Sequence, residues 1–379
     1  MPKQGIRNMK NALFPSKIAS GTSFCNRENE RQFIKNNIEK TRHTLIISPR
    51  RYGKTSLALK AIGESKLPFA YINLFNTFQN DAVAKKFSKG LSELLTKTLS
   101  SPQKAFKKLS QILVKSKLSL EVFGSKFELN LQPIAQSPLE IIENLLENIE
   151  KILESSQKKA VIFLDEFQDI SKVDMNEALQ SVLRDFAQRS QHVSLIISGS
   201  HRHMLNQIFD DRNKPFYKLC DRINLEKIKA ADHTSFIQKH AKAKWKSTLS
   251  EQTLEELLNL TEKHPYYVNR LCAKLWESKS LPNVNQVQMS WQNLGEEEFD
   301  SVVNDLNLLS KNQRILLQAI AKKGTLNAHT SGATIRELQM PQSSIVDSIK
   351  ILSQEDFIEL SENGYQLIDP LIKYVLATH

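Results

Sequence analysis

The sequence predicts an α/β fold: a parallel sheet covered by helices, then a helical domain, then a small C-terminal domain of three helices and a hairpin. Three observations predict it. Four short apolar runs, Thr44 to Ser48, Phe69 to Leu74, Ala160 to Leu164 and Val193 to Ile197, read as buried strands separated by helical patterns, as parallel strands require. After Leu225 strand signals fade, and Val268, Leu271, Cys272, Leu275 and Trp276 recur on one helix face behind Pro265, a plausible first helical position. The last stretch has its own rhythm, with helix starts and an Asn363-Gly364 turn.

Length and composition agree. The chain has 379 residues, 40% hydrophobic and 25% charged, too long for one typical core, so two or three domains are expected. No apolar run approaches the roughly 18 residues of a membrane helix. Residues 1–20 are basic without an apolar signal core, so a cytoplasmic protein with no membrane partner is expected. Cys25, Cys220 and Cys272 are far apart and outside any CxxC spacing, which argues for reduced thiols rather than a zinc site or disulfides.

The elements follow in order. The run ending at Ser48 leads through a loop into a helical pattern from Thr55, giving strand, loop, helix. Between the second and third strands, Leu118 to Val122 and Phe127 to Leu131 alternate around Gly124-Ser125, the pattern of an inserted hairpin. Gly295 to Glu298 reads as an acidic break, with a third domain beginning near Phe299. Ser310 with Gln313, and Thr334 with Glu337, read as capping boxes. A third helix from Ser343 or Ser344 places Ile345, Ile349 and Leu352 on one face. The hairpin pairs Phe357 to Leu360 with Tyr365 to Ile368, completing a winged-helix pattern. The expected organisation is a lead-in over 1–40, a core over 41–225 with an insertion at 76–158, a helical lid over 226–298 and a winged helix over 299–379.

Two motifs carry chemistry. Ser48-Pro-Arg-Arg-Tyr-Gly-Lys-Thr55 fits the phosphate-binding loop GxxxxGK followed by Ser or Thr, except that Ser48 replaces the first glycine. Arg50, Arg51, Tyr52 and Gly53 supply the loop, Lys54 can reach the β and γ phosphates, and Thr55 and Ser56 open the helix. Gly53 permits the bend that turns backbone N–H groups inward, and the Thr55 hydroxyl suits Mg²⁺. The second motif is Val161 to Leu164 ending in Asp165-Glu166, an apolar strand closing on two acids. Asp165 would hold Mg²⁺, and Glu166 would polarise the attacking water. A third strand ends in Ser198-Gly199-Ser200, where a hydroxyl could sense the γ-phosphate, Ser200 being preferred. These motifs make the fold class an α/β P-loop NTPase sheet with a helical lid and a C-terminal winged helix.

Taken together, Phe24 to Glu30, SPRRYGKTSL, VIFLDEFQ, ISGSHRHML, Asn213 to Tyr217 and Lys263 to Tyr267 resemble the archaeal-type ATPase family of the STAND branch, near the AAA+ ATPases. The resemblance implies ATP with Mg²⁺ as cofactor, an AAA+-like hydrolase and a nucleotide-dependent switch that can oligomerise. It also implies that Arg27 and Glu28 lie by the adenine and that the His264-Pro265 helix start contacts the nucleotide. No guanine-reading NKxD string occurs. Ser48 and the absence of a lid arginine at the second-sensor position imply slow hydrolysis, and a scaffold without turnover stays open. A trans-acting arginine would be Arg202, Arg212 or Arg222.

Charge bears on partners. Residues 1–130 carry 24 Lys+Arg against 8 Asp+Glu, and residues 131–379 carry 28 against 33. Lys85, Lys86, Lys89 and Lys97 begin a Lys-rich stretch that continues through Lys104, Lys107, Lys108, Lys115 and Lys117; a solvated helix face or an anion site would both look so. Residues 310–379 are neutral, and the recognition helix of the winged domain has one base, Lys350, and one acid, Asp347. A neutral domain has few phosphate contacts to give, which favours a protein partner. The alternative is a DNA-handling ATPase of the replication or transposition type, binding nucleic acid through the basic first third and the winged helix.

Overall fold

A computed structural model describes residues 13–99, 120–122, 125–127 and 137–378. The helices are α1 (Glu28–Glu39), α2 (Lys54–Ser65), α3 (Asn80–Thr98), α4 (Pro138–Ser156), α5 (Asn176–Arg189), α6 (Arg202–Phe209), α7 (Ala230–Trp245), α8 (Glu251–Leu260), α9 (Pro265–Leu275), α10 (Val284–Asn307), α11 (Lys311–Lys323), α12 (Gly332–Leu338), α13 (Gln342–Gln354) and α14 (Pro370–Thr378). The strands are β1 (Thr44–Ile47), β2 (Phe69–Asn73), β3 (Leu120–Val122), β4 (Ser125–Phe127), β5 (Ala160–Asp165), β6 (Val193–Gly199), β7 (Asp221–Asn224), β8 (Ile358–Ser361) and β9 (Gly364–Leu367). Two compact units result. One holds residues 28–48 and 54–225, the other the remaining described residues, including the loop 49–53.

The first unit is a five-stranded parallel sheet in the order β2-β5-β6-β1-β7. Every residue of β1, β5 and β6 is buried, whereas β2 and β7 at the edges are only partly so. Helices cover both faces of such a sheet, so central strands read as unbroken apolar runs. The edge strand β7 escaped the sequence reading because Ile223 is its single apolar residue. Strand β6 stands between β1, which feeds the phosphate-loop motif, and β5, which ends in the acid pair. Helix α4 begins with a capping box between Ser137 and Glu140 and turns Ile142, Leu145, Ile149 and Ile152 into the core.

The insertion does contain an antiparallel hairpin, with Val122 opposite Ser125, so its second strand starts two residues before the expected Phe127. Leu118, the run 128–131 and Lys104, Lys107, Lys108, Lys115 and Lys117 lie outside the described residues.

The second unit carries two cores. One gathers Phe14, Ile237, Leu257, Val268, Leu271 and Trp291; the other gathers Leu316, Ile320, Ile345, Leu352, Ile358 and Leu367. Helix α9 starts at Pro265 and buries the expected Val268, Leu271, Cys272 and Leu275, with Trp276 one residue beyond its end. The acidic break expected at Gly295 to Glu298 is absent: α10 runs through it. Glu298 pairs with Arg270 at 3.0 Å, Glu297 pairs with Lys274, and Gly295 lies against the Tyr374 ring, where a Cβ would come within 2.7 Å. Cations on α9 therefore neutralise the acids that suggested a break.

In the winged helix the box of Ser310 and Gln313 is present. The second helix is capped by Ser331, whose hydroxyl accepts from the Thr334 N–H, so Thr334 is inside the helix rather than its cap. The third helix starts at Gln342, and a further helix, α14, follows the hairpin. Among the described residues no helix is long and apolar enough to cross a membrane.

Candidate functional site

The end of β1 delivers Ser48, 2% exposed, to the start of the loop. The Lys54 ammonium donates to the Ser48 carbonyl at 3.1 Å and to its hydroxyl at 3.3 Å. The serine that replaces the first loop glycine thus helps hold the lysine. Gly53 adopts φ +93°, a conformation open to glycine at little cost. From there α2 begins at Lys54 and buries Leu57, Ala58, Ala61 and Ile62 on one face.

The acids at the end of β5 are each held by hydroxyls. Asp165, 2% exposed, accepts from the Thr55 hydroxyl at 2.8 Å and the Tyr71 hydroxyl at 3.0 Å through Oδ2. Its Oδ1 accepts from the Ser198 hydroxyl and from the Glu166 N–H at 3.2 Å. Glu166 sits in the left-handed region, φ +53°, and its Oε2 accepts from the Ser200 hydroxyl at 2.7 Å and the Gln168 amide at 2.8 Å. Burial, then the neighbouring Asp165, pushes the Tyr71 hydroxyl above its ordinary pKa, so it stays a donor.

The residues read from the sequence are therefore brought together as Lys54 with Ser48, Thr55 with Asp165, and Ser200 with Glu166. Tyr71 and Gln168 were not singled out. Tyr71 sits two residues from Asn73 on one face of β2, and Gln168 belongs to the DEFQ string already quoted. An all-oxygen pair of a threonine hydroxyl and an aspartate suits Mg²⁺, which takes oxygen ligands and keeps several waters. Among the described residues no group of three or more His, Cys, Asp or Glu side chains that could hold a metal ion occurs.

The loop residues 49–53 pack with the second unit. Arg27 donates to the Tyr52 carbonyl at 3.2 Å and to the Glu226 carbonyl at 2.7 Å. Glu28 is exposed at the start of α1. Arg51 lies over the Tyr266 ring, 4.5 Å from its centroid, while Arg50 is exposed. Tyr52 meets His264 edge-on at 4.9 Å, His264 meets Tyr267 at 5.1 Å, Tyr267 meets Trp291 at 5.8 Å, and Trp291 meets Tyr374 at 6.1 Å. A line of rings thus runs from the loop to α14. The Tyr267 hydroxyl donates to Asp369 Oδ2 at 2.6 Å, and Asp369 Oδ1 caps α14 by accepting from the Leu371 and Ile372 N–H groups. Burial lowers His264 to about 3, with Lys227 and Arg51 adding to it, and lowers His233 to about 4, so both are neutral at pH 7.

The family described as an ATPase domain predominantly from Archaea matches residues 24–271. The chain belongs to that archaeal ATPase family. A winged helix domain matches residues 299–378. Among solved structures, a Walker-type ATPase of Pyrococcus abyssi is similar at 17% identity and TM-score 0.71, covering 96% of this chain and 99% of that one. The ORC2 protein of Aeropyrum pernix, in ADPNP and ADP complexes, is similar at 14% identity and TM-score 0.61, covering 97% and 96%. The ORC1 protein of Aeropyrum pernix in complex with DNA is similar at 12% identity and TM-score 0.52, covering 97% and 95%. No curated protein sequence matches. The fold of this family member is thus a P-loop sheet followed by helices and a winged helix.

The trans-arginine candidates differ in setting. Arg222 forms a bidentate pair with Asp210, at 3.0 and 2.9 Å. Arg202 opens α6, and Arg212 is exposed in the turn after it. Of the Lys-rich stretch, Lys86 bonds the Phe75 carbonyl and Thr77, Lys97 lies over the Phe69 ring, and Lys85 and Lys89 are exposed. Burial raises the Cys25 thiol to about 12, leaving it unreactive.

Proposed function

We propose that this member of the archaeal ATPase family binds Mg²⁺-ATP and works as a nucleotide-dependent switch whose winged helix responds to the state of the phosphate loop. Lys54 and the loop N–H groups would bind the β and γ phosphates, with Thr55 and Asp165 holding Mg²⁺. The metal, when bound, neutralises charge on the phosphates. Glu166 would take a proton from water as the water oxygen bonds to the γ-phosphorus and ADP departs with the electrons of the broken P–O bond. Ser200 would sense the γ-phosphate. Ser56 would be a further nucleotide contact, and the family resemblance adds Arg27 and Pro265 to the proposed contacts.

The observation that carries the switch reading is the line of rings from Tyr52 to Tyr374, with the Tyr267–Asp369 bond beside it. The chain continues from Tyr52 through Gly53 into Lys54, so phosphate bound there acts on a loop whose side chains pack toward α14. Differential contact with ATP and ADP is what biases a two-state element. The proposal includes slow turnover, a cytoplasmic location and nucleotide-dependent self-association, with Arg202, Arg212 or Arg222 as the trans-acting arginine.

A protein partner is favoured over DNA by the exposed face of the winged helix. Val346 and Ile351 on α13 are each 42% exposed and Leu360 on the wing is 70% exposed, apolar where phosphate contacts would need cations. The second reading is a DNA-handling ATPase, favoured by Lys85 and Lys89 and by the likeness to an ORC1 protein solved with DNA.

Turnover with and without double- and single-stranded DNA separates the two. Lys54→Ala should abolish ATP binding, and Glu166→Gln should keep binding while losing about 100-fold or more in turnover. ATP binding by Lys54→Ala at wild-type affinity would contradict the site, and DNA-stimulated turnover would favour the second reading.

A further inference from the structure

We infer that Gln168 is a positioning residue for the base Glu166. The inference rests on Glu166 acting as the base. Gln168 follows two residues after Glu166, in the 3₁₀ stretch Phe167–Lys172, and is 2% exposed. Its amide N–H donates to Glu166 Oε2 at 2.8 Å, and the Ser200 hydroxyl donates to the same oxygen at 2.7 Å. Among the described residues no donor bonds the other oxygen, Oε1. Two donors on one oxygen fix the plane of the carboxylate and leave Oε1 as the oxygen that receives the water proton.

The fold makes specific provision for this amide. Gln168 Oε1 is buried without a hydrogen-bond partner, an arrangement that costs stability and that an apolar side chain would avoid. It lies directly against Gly199: a Cβ there would stand 2.1 Å from Gln168 Oε1 and 2.8 Å from Leu205 Cδ1. Any other residue at position 199 would displace the amide from Glu166. Gly199 and Ser200 are consecutive, so the end of β6 admits one donor and supplies the other. The left-handed backbone at Glu166 turns the chain so that residue 168 comes back onto the carboxylate of residue 166.

A merely packed glutamine and a positioning glutamine differ in what their loss does to the base. Removing one clamp should let the carboxylate rotate, so turnover falls while nucleotide binding by Lys54 and Thr55 persists. Gln168→Ala is expected to lower kcat about 10- to 100-fold with ATP affinity within about 3-fold of wild type. Gln168→Glu is nearly isosteric and guards against misfolding. It sets a second carboxyl in place of the donor on Glu166 Oε2, so kcat should fall at least as far as in Gln168→Ala while ATP affinity stays within about 3-fold of wild type. Gly199→Ala should resemble Gln168→Ala, and in the Gln168→Ala background it should add less than 3-fold.

Each variant is assayed beside wild type and Glu166→Gln, with binding of a fluorescent ATP analogue read separately. Unchanged kcat in both Gln168→Ala and Gln168→Glu, while Glu166→Gln abolishes turnover, would overturn the positioning role alone. Normal turnover by Glu166→Gln, or none by wild type, would overturn the base reading and this inference with it.

Discussion

The Tyr267 hydroxyl lies 2.6 Å from Asp369 Oδ2, joining the first turn of α9 to the residue that caps α14. The two are separated by 102 positions in the chain. Burial raises the Asp369 carboxyl, the Tyr267 bond and the Leu371 and Ile372 N–H groups work against that rise, and Arg51 adds a smaller opposing effect. The pair therefore binds α9 to α14, the last helix of the winged domain.

Tyr267→Phe removes this donor and leaves a buried acceptor with two of its three bonds. A hydrogen bond to a charged group is worth about 1.5–3 kcal/mol, so urea denaturation should show a loss of that order. Asp369→Asn, whose amide oxygen still accepts, should lose less than Tyr267→Phe. Equal stability of Tyr267→Phe and wild type would remove the bond from the account.

Ser48→Gly tests the departure from the phosphate-loop motif. In wild type the Lys54 ammonium must leave the Ser48 hydroxyl, 3.3 Å away, to reach a phosphate. Deleting that hydroxyl should tighten ATP binding about 3-fold by calorimetry, the modest net worth of one hydrogen bond. Weaker binding would mean that Ser48 supports the bound state instead.

His264 and His233 give stability an acid limit. Burial lowers them to about 3 and about 4, against an ordinary value near 6.5. The unfolded chain takes up protons that the folded chain refuses, so stability is complete above about pH 6.5 and falls as pH drops toward 4 and 3. At pH 5 each contributes a loss of about 2 kcal/mol. Urea midpoints of wild type at pH 7.5 and pH 5 should differ accordingly, and a His233→Gln, His264→Gln variant should show a flatter dependence. A wild-type midpoint that does not change would contradict the burial argument.

What the sequence showed depended on range. The central strands were legible because parallel strands covered on both faces must be apolar throughout, whereas β7, with Ile223 alone, carried no such signal. Lys54, Thr55, Asp165 and Glu166 were legible because each sits in a contiguous motif. Gly295 to Glu298 misled because local acidity suggested a break, while the compensating Arg270 and Lys274 lie more than twenty residues earlier on another helix. Thr334 misled for a simpler reason: Ser331, three residues before it, is the better placed cap. Tyr71 was legible as a strand residue only, since its hydroxyl meets Asp165 across 94 positions. The rings from Tyr52 to Tyr374 follow no sequence period at all.

The most direct test of the switch is hydrogen exchange at the Leu371 and Ile372 amides, which donate to Asp369. It is measured in Glu166→Gln, which should trap ATP, and in the same protein carrying Tyr267→Phe. The account predicts that ATP changes protection of these amides relative to ADP in the first protein and that the change is lost in the second. Identical exchange with ATP and ADP in Glu166→Gln, with both nucleotides bound, would contradict it.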